Sequence, residues 1–417
     1  MTFLQLIAVL LTAVAVLGYF NHRVVGLPDT IGITAMGLLV SVLMGFAGNV
    51  VPGASAWARE LAVHFDFSGL VLHGLLSVML FAGALHIDIS ELRQQKLPVL
   101  VLSTVGVLLS TLIVGGFAWM LLNALDVPVR LDHCLLFGAL ISPTDPIAVL
   151  GVLKTAAVPK SLEIEIAGES LFNDGTGVVA FLVLLGIATG TAEPSLPGIA
   201  TLLVREIAGA LVLGLATGYL AFFMLKGVDS YPVEIIITLA CATAGYSLAE
   251  HLHVSAPITV VIAGLVIGNH GARSAMSERT REHLFSFWDL MDEVLNLLLF
   301  GMVGLQLLAW TSDEVAWLAA GLLVPVVLFA RFVSVGIPAV LLRPDRTPHA
   351  VKVLTWGGLR GGISIALALS LPEFTGKDTL MMGTYAVVLF SLLVQAPTLP
   401  WTLQRWGIGA TPPGVTR

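Results

Sequence analysis

The sequence predicts an all-α, polytopic membrane protein with about 13 transmembrane helices, and three observations lead to this fold class. The 417 residues are 57% hydrophobic and only 11% charged, with a mean hydropathy of +0.95, whereas roughly a quarter of the residues in soluble domains are charged. One globular core cannot absorb so much apolar surface, because soluble chains above about 250–300 residues divide into domains. The apolar residues also form runs of about 20 residues, which is the length that a helix needs to cross a bilayer. These observations exclude a soluble multidomain enzyme.

Thirteen predicted segments result when the sequence is divided where Pro, Gly and charged residues interrupt the apolar runs. Their ranges are 3–20, 28–51, 69–90, 97–122, 132–153, 162–190, 198–226, 230–252, 254–270, 286–310, 313–342, 348–372 and 377–403. The first segment has no basic residue before it and no small-residue cleavage pattern after it, which favours a retained helix over a signal peptide. The connections are short. We therefore expect one transmembrane transporter domain over residues 1–417, with its core at about 69–190 and 286–372 and the remaining helices as scaffold and dimer interface.

The basic residues indicate the orientation, because cytoplasmic loops carry an excess of Lys and Arg. The loops on the N-terminal side hold four: Arg59, Arg130, Arg205 and Lys377. The opposite loops hold fourteen: Arg23, Arg93, Lys96, Lys154, Lys160, Lys226, Arg273, Arg279, Arg281, Arg343, Arg346, Lys352, Arg405 and Arg417. This split predicts an external N-terminus and a cytoplasmic C-terminus in a multi-pass protein of a prokaryotic inner, or plasma, membrane.

Two segments contain sequence that disrupts a helix near mid-membrane. The fifth has Pro143 and Pro146 three residues apart, and the twelfth has four glycines between Gly357 and Gly362. Proline removes a backbone donor, and each glycine weakens a helix by roughly 1 kcal/mol. In a six–one–six division, each broken segment is the fifth of an inverted six-helix repeat, which is the arrangement typical of secondary transporters. Kinked packing helices are the alternative.

Five charged residues lie inside apolar segments, where charges are costly and usually mark an ion or proton pathway. They are Asp145, Glu169, Asp174, Arg331 and Arg360. At about 100° per residue, Glu169 and Asn173 share one stripe of a helix, and Ser170 and Asp174 share the next. We therefore expect the first pair to meet the arginines of neighbouring helices, and the second pair to face a cavity and offer oxygens to an ion.

The charge balance narrows the mechanism. Three acids against two arginines leave one net negative charge, which one monovalent cation or one proton neutralises. Competition of sodium and proton for Asp174 then predicts strict exchange. Because Asn173 rather than a second acid precedes Asp174, we expect one-for-one, electroneutral exchange.

Structural interpretations remain open for the supporting residues. Glu169 and Arg331 are also consistent with a structural ion pair, Asp145 with a compensating charge for half-helix ends, and Asn173 with Arg360 as an orienting contact. Six other acids lie near segment ends, where snorkelling or loop contacts explain them, and they are left out of the core site: Asp88, Glu234, Glu250, Asp289, Asp292 and Glu293.

Three motifs resemble, in order and spacing, the NhaP/NHE-like branch of the cation/proton antiporter superfamily. They are Ser142-Pro-Thr-Asp-Pro146, Gly168-Glu-Ser-Leu-Phe-Asn-Asp-Gly175 and Gly358-Leu-Arg-Gly-Gly-Ile363. The resemblance implies a thirteen-helix, NhaA/NhaP-like inverted-repeat antiporter, usually a homodimer, that exchanges Na⁺ or Li⁺ for H⁺ without net charge movement.

The resemblance also implies roles for individual residues. The ion would be bound by Asp174, Glu169, Ser170 and the main-chain carbonyl of Thr144, with Asp145 beside the crossing. Arg331 would pair with Glu169, and Arg360 with Asn173. As both a ligand and a salt-bridge partner, Glu169 is expected to contact the ion through one oxygen and Arg331 through the other.

Four other functions compete with this interpretation. A K⁺/H⁺ antiporter on the same scaffold stays open, because cation choice depends on cavity size and ligand field. An organic-anion symporter is disfavoured because acids outnumber bases at mid-membrane. An intramembrane protease is disfavoured because no GxGD motif accompanies the aspartates. A net charge of −7 with scattered basic residues gives no surface for nucleic acid, and the expected partners are a monovalent cation, a proton and the lipid bilayer, with no cofactor.

Overall fold

A computed structural model describes residues 3–47, 67–145, 149–150, 153, 158–191, 195–306, 314–342 and 348–408. Over these ranges the regular structure is helical, without β-strands, which confirms the all-α fold class. Six residues used in the sequence analysis lie outside the described residues: Arg59, Pro146, Lys154, Arg343, Arg346 and Arg417.

The helices of the first half begin with α1 (Phe3–Phe20), which continues into a π-helical turn (Asn21–Val25), and α2 (Asp29–Ala47). Then follow α3 (Phe67–Gly69, a π-helical turn Leu70–Leu75, and Leu76–Leu85), the short α4 (Ile89–Gln94), α5 (Lys96–Ala124), α6 (Leu131–Ile141) and α7 (Lys160–Ala188).

The later helices are α8 (Leu196–Lys226), α9 (Tyr231–His251), α10 (Ala256–Val266, with a π-helical turn Ile267–Gly271) and α11 (Glu278–Gln306). They are followed by α12 (Glu314–Leu342), α13 (Pro348–Trp356), α14 (Gly362–Leu369) and α15 (Lys377–Arg405). Seven helices within the described ranges are long and apolar enough to cross a membrane, so the protein is a multi-pass membrane protein. The total number of crossings and the inverted repeat stay predictions.

Hydrophobic length predicts several helix boundaries closely. The ends of α5, α7, α8 and α9 differ by at most two residues from the predicted segments 97–122, 162–190, 198–226 and 230–252. Helix α11 differs more, because it begins at Glu278 rather than at residue 286. Its first turn is polar: the Ser277 hydroxyl accepts the backbone N–H of Thr280 at 3.3 Å. A helix start that is capped in this way is stable without apolar residues. A prediction based on runs of apolar residues therefore does not detect it.

Both predicted helix breaks are present. Helix α6 ends at Ile141, and the described chain continues without helix to Asp145. Helix α13 ends at Trp356, and α14 begins at Gly362. The two breaks cross and share a main-chain hydrogen bond, in which the Asp145 N–H donates to the Leu359 carbonyl at 2.8 Å. Each break thus satisfies part of the backbone polarity that the other exposes.

Helix α7 packs directly against the first break. A Cβ atom added at Gly177 would collide with the ring of Pro143. The absence of a side chain at this position lets α7 lie against the break, so the polar residues one and two turns earlier on α7 reach the crossing.

Candidate ion-binding site

A cavity of about 480 Å³ leads from the protein surface to the crossing of the two breaks. At one end it reaches Lys160 and Asp289, whose side chains are 71% and 64% exposed. At the other end it reaches Thr144 and Asp174. The acids that line it are Asp88, Glu91, Asp145, Glu163, Asp174, Asp289 and Asp292. The cavity therefore connects one face of the membrane protein to a deeply buried carboxylate.

Asp174 is the buried carboxylate at the inner end of this cavity. It lies on α7 and is only 6% exposed. Within the described part of the chain, its carboxylate has no hydrogen bond or ion pair with another side chain, although it interacts electrostatically with Asp145. The structure places Asp174 on the cavity wall, as the helical spacing predicts, whereas Ser170, which was expected there too, is not among the lining residues.

Asn173, one residue earlier, holds the first break through two hydrogen bonds to a single residue. Its Nδ2 donates to the Thr144 hydroxyl at 2.7 Å, and its Oδ1 accepts the Thr144 backbone N–H at 3.2 Å. The Ser170 hydroxyl lies 3.0 Å from the Thr144 hydroxyl. Helix α7 therefore fixes Thr144 from two successive turns.

The prediction that Asn173 contacts Arg360 is wrong for this structure. Arg360 is 1% exposed and donates through Nη1 to the carbonyls of Ser142 and Pro143, the latter at 2.8 Å. These carbonyls follow the C-terminal end of α6, where the helix dipole is negative and carbonyl groups lack helical partners. A guanidinium suits this position, and an amide suits the paired donor and acceptor of Thr144. Arg360 Nε and Nη2 have no hydrogen-bond partner in the described ranges.

Glu169 and Arg331 form the expected ion pair between α7 and α12. Arg331 Nη2 donates to Glu169 Oε2 at 2.9 Å, and Nη1 donates to Oε1. Arg331 Nε also donates to the Leu354 carbonyl of α13 at 3.1 Å. Both oxygens of Glu169 are thus engaged, and the expectation that one would stay available for the ion is not met in this conformation. The role of Glu169 as an ion ligand stays a prediction, as do the roles of Ser170 and the Thr144 carbonyl.

Asp145 lies beside the start of α14, as expected of a residue at the crossing. A Cβ at Gly361 would stand 2.5 Å from Asp145 Oδ2, so the second break must have glycine here for the carboxylate to fit. The half-helix α14 has its N-terminus at this point, and a carboxylate near a helix N-terminus is favoured by the helix dipole. This position is consistent with Asp145 balancing the half-helix ends.

Three acids that the sequence analysis left out of the site line the cavity: Asp88, Asp289 and Asp292. Asp88 caps α4, and the Ser90 backbone N–H that donates to its carboxylate at 2.6 Å lowers the pKa of Asp88. The spacing of Asp289 and Asp292, three residues apart on one helix, is the sequence signal that could have placed both on one face. Glu293, by contrast, is exposed and lies outside the cavity lining.

The arrangement suits reversible binding of one small cation. Among the five mid-membrane charges, Glu169 is neutralised by Arg331, and Arg360 donates hydrogen bonds to main-chain carbonyls. Asp145 and Asp174 then share the inner end of the cavity, and like charges in close proximity favour taking up a cation or a proton. Such a carboxylate can accept either, and the cavity connects it to one face of the protein.

Comparisons with known proteins identify similar sequences and a similar fold. Residues 9–405 match the family model described as "Sodium/hydrogen exchanger, transmembrane". The chain is 45% identical over 409 residues to the Na(+)/H(+) antiporter NhaP of Pseudomonas aeruginosa, covering 96% of each chain. It is 33% identical over 414 residues to the Na(+)/H(+) antiporter NhaH of Halobacillus dabanensis, covering 97% of this chain and 98% of that one. The fold resembles the structure of the sodium proton antiporter MjNhaP1 from Methanocaldococcus jannaschii, with a TM-score of 0.76 at 21% identity, over 97% of this chain and 99% of that chain.

Proposed function

The chain belongs to the sodium/hydrogen exchanger family, and from this premise we propose that it exchanges Na⁺ or Li⁺ for H⁺ across the membrane by alternating access to Asp174. The full-length relatives named as Na(+)/H(+) antiporters support sodium over potassium as the cation. The observation that carries the proposal is Asp174 itself: a carboxylate that is 6% exposed, faces the cavity, and has no bonded partner in the described ranges.

Competition at one carboxylate gives the exchange its coupling. With Glu169 paired to Arg331, the remaining mid-membrane charges are Asp145 and Asp174 at the inner end of the cavity and Arg360, which bonds to the carbonyls of Ser142 and Pro143. One net negative charge remains when all three are ionised. One Na⁺ or one H⁺ neutralises this charge, and the loaded site is less costly to carry across the bilayer than the empty one. Exchange is then one-for-one and electroneutral.

The ion ligands belong to the proposal as well. Asp174 supplies the charge, while the Thr144 carbonyl, the Ser170 hydroxyl and Glu169 supply further oxygens, with Asp145 beside them. The hydroxyl oxygens of Thr144 and Ser170 lie 3.0 Å apart, which supports a ligand position shared by these two residues. For Glu169 to contact the ion, one of its two bonds to Arg331 has to lengthen.

Orientation and assembly complete the proposal. The 14-to-4 distribution of Lys and Arg supports an external N-terminus and a cytoplasmic C-terminus, in the plasma membrane of a prokaryote. The cavity then faces the cytoplasm, because Lys160 and the connection before α4 lie at its mouth. The family resemblance supports a homodimer built on helices outside the core.

Purified protein in liposomes tests the function directly. A pH-sensitive dye inside the vesicles reports proton movement after addition of Na⁺, Li⁺ or K⁺, with the membrane potential clamped or free. We expect Na⁺ and Li⁺ to drive proton flux at rates that do not depend on the potential. We expect Asp174→Asn to remain folded and to reduce this flux to that of empty liposomes, because the amide cannot alternate between cation and proton.

Asp378→Asn is the matched control, since Asp378 is exposed in the first turn of α15 and its change should leave the flux unaltered. Continued Na⁺-driven proton flux in Asp174→Asn would overturn the assignment of the exchanging group. A response to K⁺ alone would overturn the choice of cation.

A further inference from the structure

Helix α11 carries polar residues on successive turns of the face that lines the cavity. Asp289, Asp292, Asn296 and Leu299 are spaced three, four and three residues apart, so they share one helix face. Asp289, Asp292 and Leu299 line the cavity, and Asn296 lies between them on that face. At 1.5 Å per residue, Asp292 is about 4.5 Å deeper along the helix than Asp289.

Three acids near the cavity mouth already have basic side chains as partners. The pairs are Asp289 with His86 at 2.9 Å, Asp88 with Arg273 at 3.2 Å, and Glu91 with Lys160. Partnered acids of this kind shape the entrance, but their charges are largely met by the protein. They have little capacity left for a transported ion.

Asp292 differs from these acids. In the ranges that the structure describes it forms no ion pair with Lys, Arg or His, and its carboxylate lies near the side chain of Asn296. It also interacts electrostatically with Asp145, which in turn interacts with Asp174. Asp292 therefore lies on the path between the paired acids of the entrance and the proposed exchange site.

Asn296 adds a second oxygen beside Asp292. It is 1% exposed, and its Nδ2 donates to the Asp292 carbonyl at 2.7 Å. Its Oδ1 accepts no hydrogen bond from the described residues, although a buried carbonyl oxygen without a donor is unfavourable and rare. Carboxylate and amide oxygens are the ligands that hard cations take from proteins.

We propose that Asp292 and the Asn296 amide oxygen form a second, transient binding station for a monovalent cation, between the cavity mouth and Asp174. This inference rests on the proposed exchange of Na⁺ or Li⁺. The station raises the local concentration of the cation and delivers it to the crossing, as a fixed charge in a narrow cleft does. It takes no part in the competition with protons at Asp174, so it sets the apparent affinity rather than the maximal rate.

Transport kinetics in oriented membranes test the station. Everted and right-side-out vesicles from the same cells expose opposite faces of the protein, and the Na⁺ concentration giving half-maximal proton flux is measured in each. Asp292→Asn should raise that concentration on the order of tenfold in the preparation that exposes the cavity. It should leave the flux at saturating Na⁺ near that of the parent, and leave the other preparation unchanged.

The neighbouring residue gives the matched control. Glu293→Gln removes an equal charge from an exposed position on the same helix and should change neither quantity. Asp292→Glu should restore the half-saturating concentration, which a merely structural role does not require. Asn296→Leu keeps the charge and removes the amide oxygen, so it should shift the same quantity in the same direction, and it decides the matter if Asp292→Asn does not reach the membrane.

The outcomes separate the two proposals. If the parent exchanges Na⁺ and the Asp292 and Asn296 variants have its half-saturating concentration, the station is wrong while the function stands. The same holds if Asp292→Asn changes only the saturating flux, or shifts both faces equally. If the parent does not exchange Na⁺, the function and the station fail together.

Discussion

The bidentate pair of Arg331 and Glu169 places two full charges among apolar helices, with Glu169 only 1% exposed. Taking charges out of water is expensive, so such a pair contributes little net stability, yet removing one partner leaves the other buried and uncompensated. Arg331 also holds the Leu354 carbonyl. The pair thus joins α7, α12 and α13 around the site.

Glu169→Gln should lower the free energy of unfolding by about 3–5 kcal/mol, because the guanidinium of Arg331 keeps its charge and loses its counterion. The measurement is thermal or denaturant unfolding of the purified protein in mild detergent. The double variant Glu169→Gln/Arg331→Met should regain much of the loss, since no unpaired charge then remains.

A pair whose carboxylate is exposed at the surface serves as the control for this prediction. Lys377 and Glu373 lie 2.7 Å apart, four residues apart in sequence, and Glu373 is 91% exposed. Glu373→Gln should change stability by no more than about 0.5 kcal/mol. A Glu169→Gln protein as heat-stable as its parent would contradict the structural importance of the buried pair.

Single side chains were only partly predictable. Helical spacing placed Asp174 on the cavity and Glu169 toward an arginine, because both follow from the geometry of one helix. The partner of Asn173 did not follow, since an amide can meet a guanidinium or a peptide group equally well, and the choice depends on how a distant break folds. The position of Asp292 on the cavity was missed because hydropathy cannot distinguish an acid that faces a cavity from one that reaches the membrane surface near a segment end.

The two crossing breaks are the elements on which the site depends. Their positions were predictable because proline and clustered glycine disfavour helix wherever they occur. The start of α11 was not, because a polar capped turn carries no hydrophobic signal. At the crossing itself, glycine is needed at position 361 for a steric reason as well, because a Cβ atom there would collide with Asp145.

Gly361→Ala should reduce exchange on the order of 100-fold while the protein still folds, because the added methyl group displaces the Asp145 carboxylate or the break that carries it. Proton flux in liposomes and unfolding in detergent measure the two effects separately. Gly321→Ala is the control: it lies in α12, and an added Cβ there meets no atom within 4 Å. This change should leave the flux unaltered and slightly stabilise the helix. A Gly361→Ala protein that transports at the parental rate would show that the crossing tolerates displacement.

For the molecule as a whole, orientation is the property most open to direct measurement. The native cysteines, Cys134 and Cys241, are buried, so single exposed cysteines can be introduced against a low background. In intact cells, a membrane-impermeant maleimide should label Asn123→Cys, because the positive-inside rule places residue 123 on the external face. Ser274→Cys should be labelled only after permeabilisation. The reverse pattern would invert the topology and place the cavity on the external face.

The class of molecule was predictable from composition and segment length, because a bilayer imposes the same length on every crossing. The relation between the two halves was less so. An inverted repeat is recognised by comparing segments far apart in the chain, so no single window of sequence reveals it. The number of membrane crossings is also hard to predict, because some apolar runs are short or interrupted.

The main-chain bond between Asp145 and Leu359 has a consequence for biosynthesis. Its two residues lie about two hundred positions apart, and at the usual 5–20 residues per second translation needs roughly 10–40 s to travel from one to the other. During that interval the first break sits in the insertion machinery or the nascent bundle with its amide unsatisfied by its final acceptor. Leu359 must therefore be synthesised before the two breaks can bond to each other, so halves of the chain that are expressed separately should be degraded unless they are produced together.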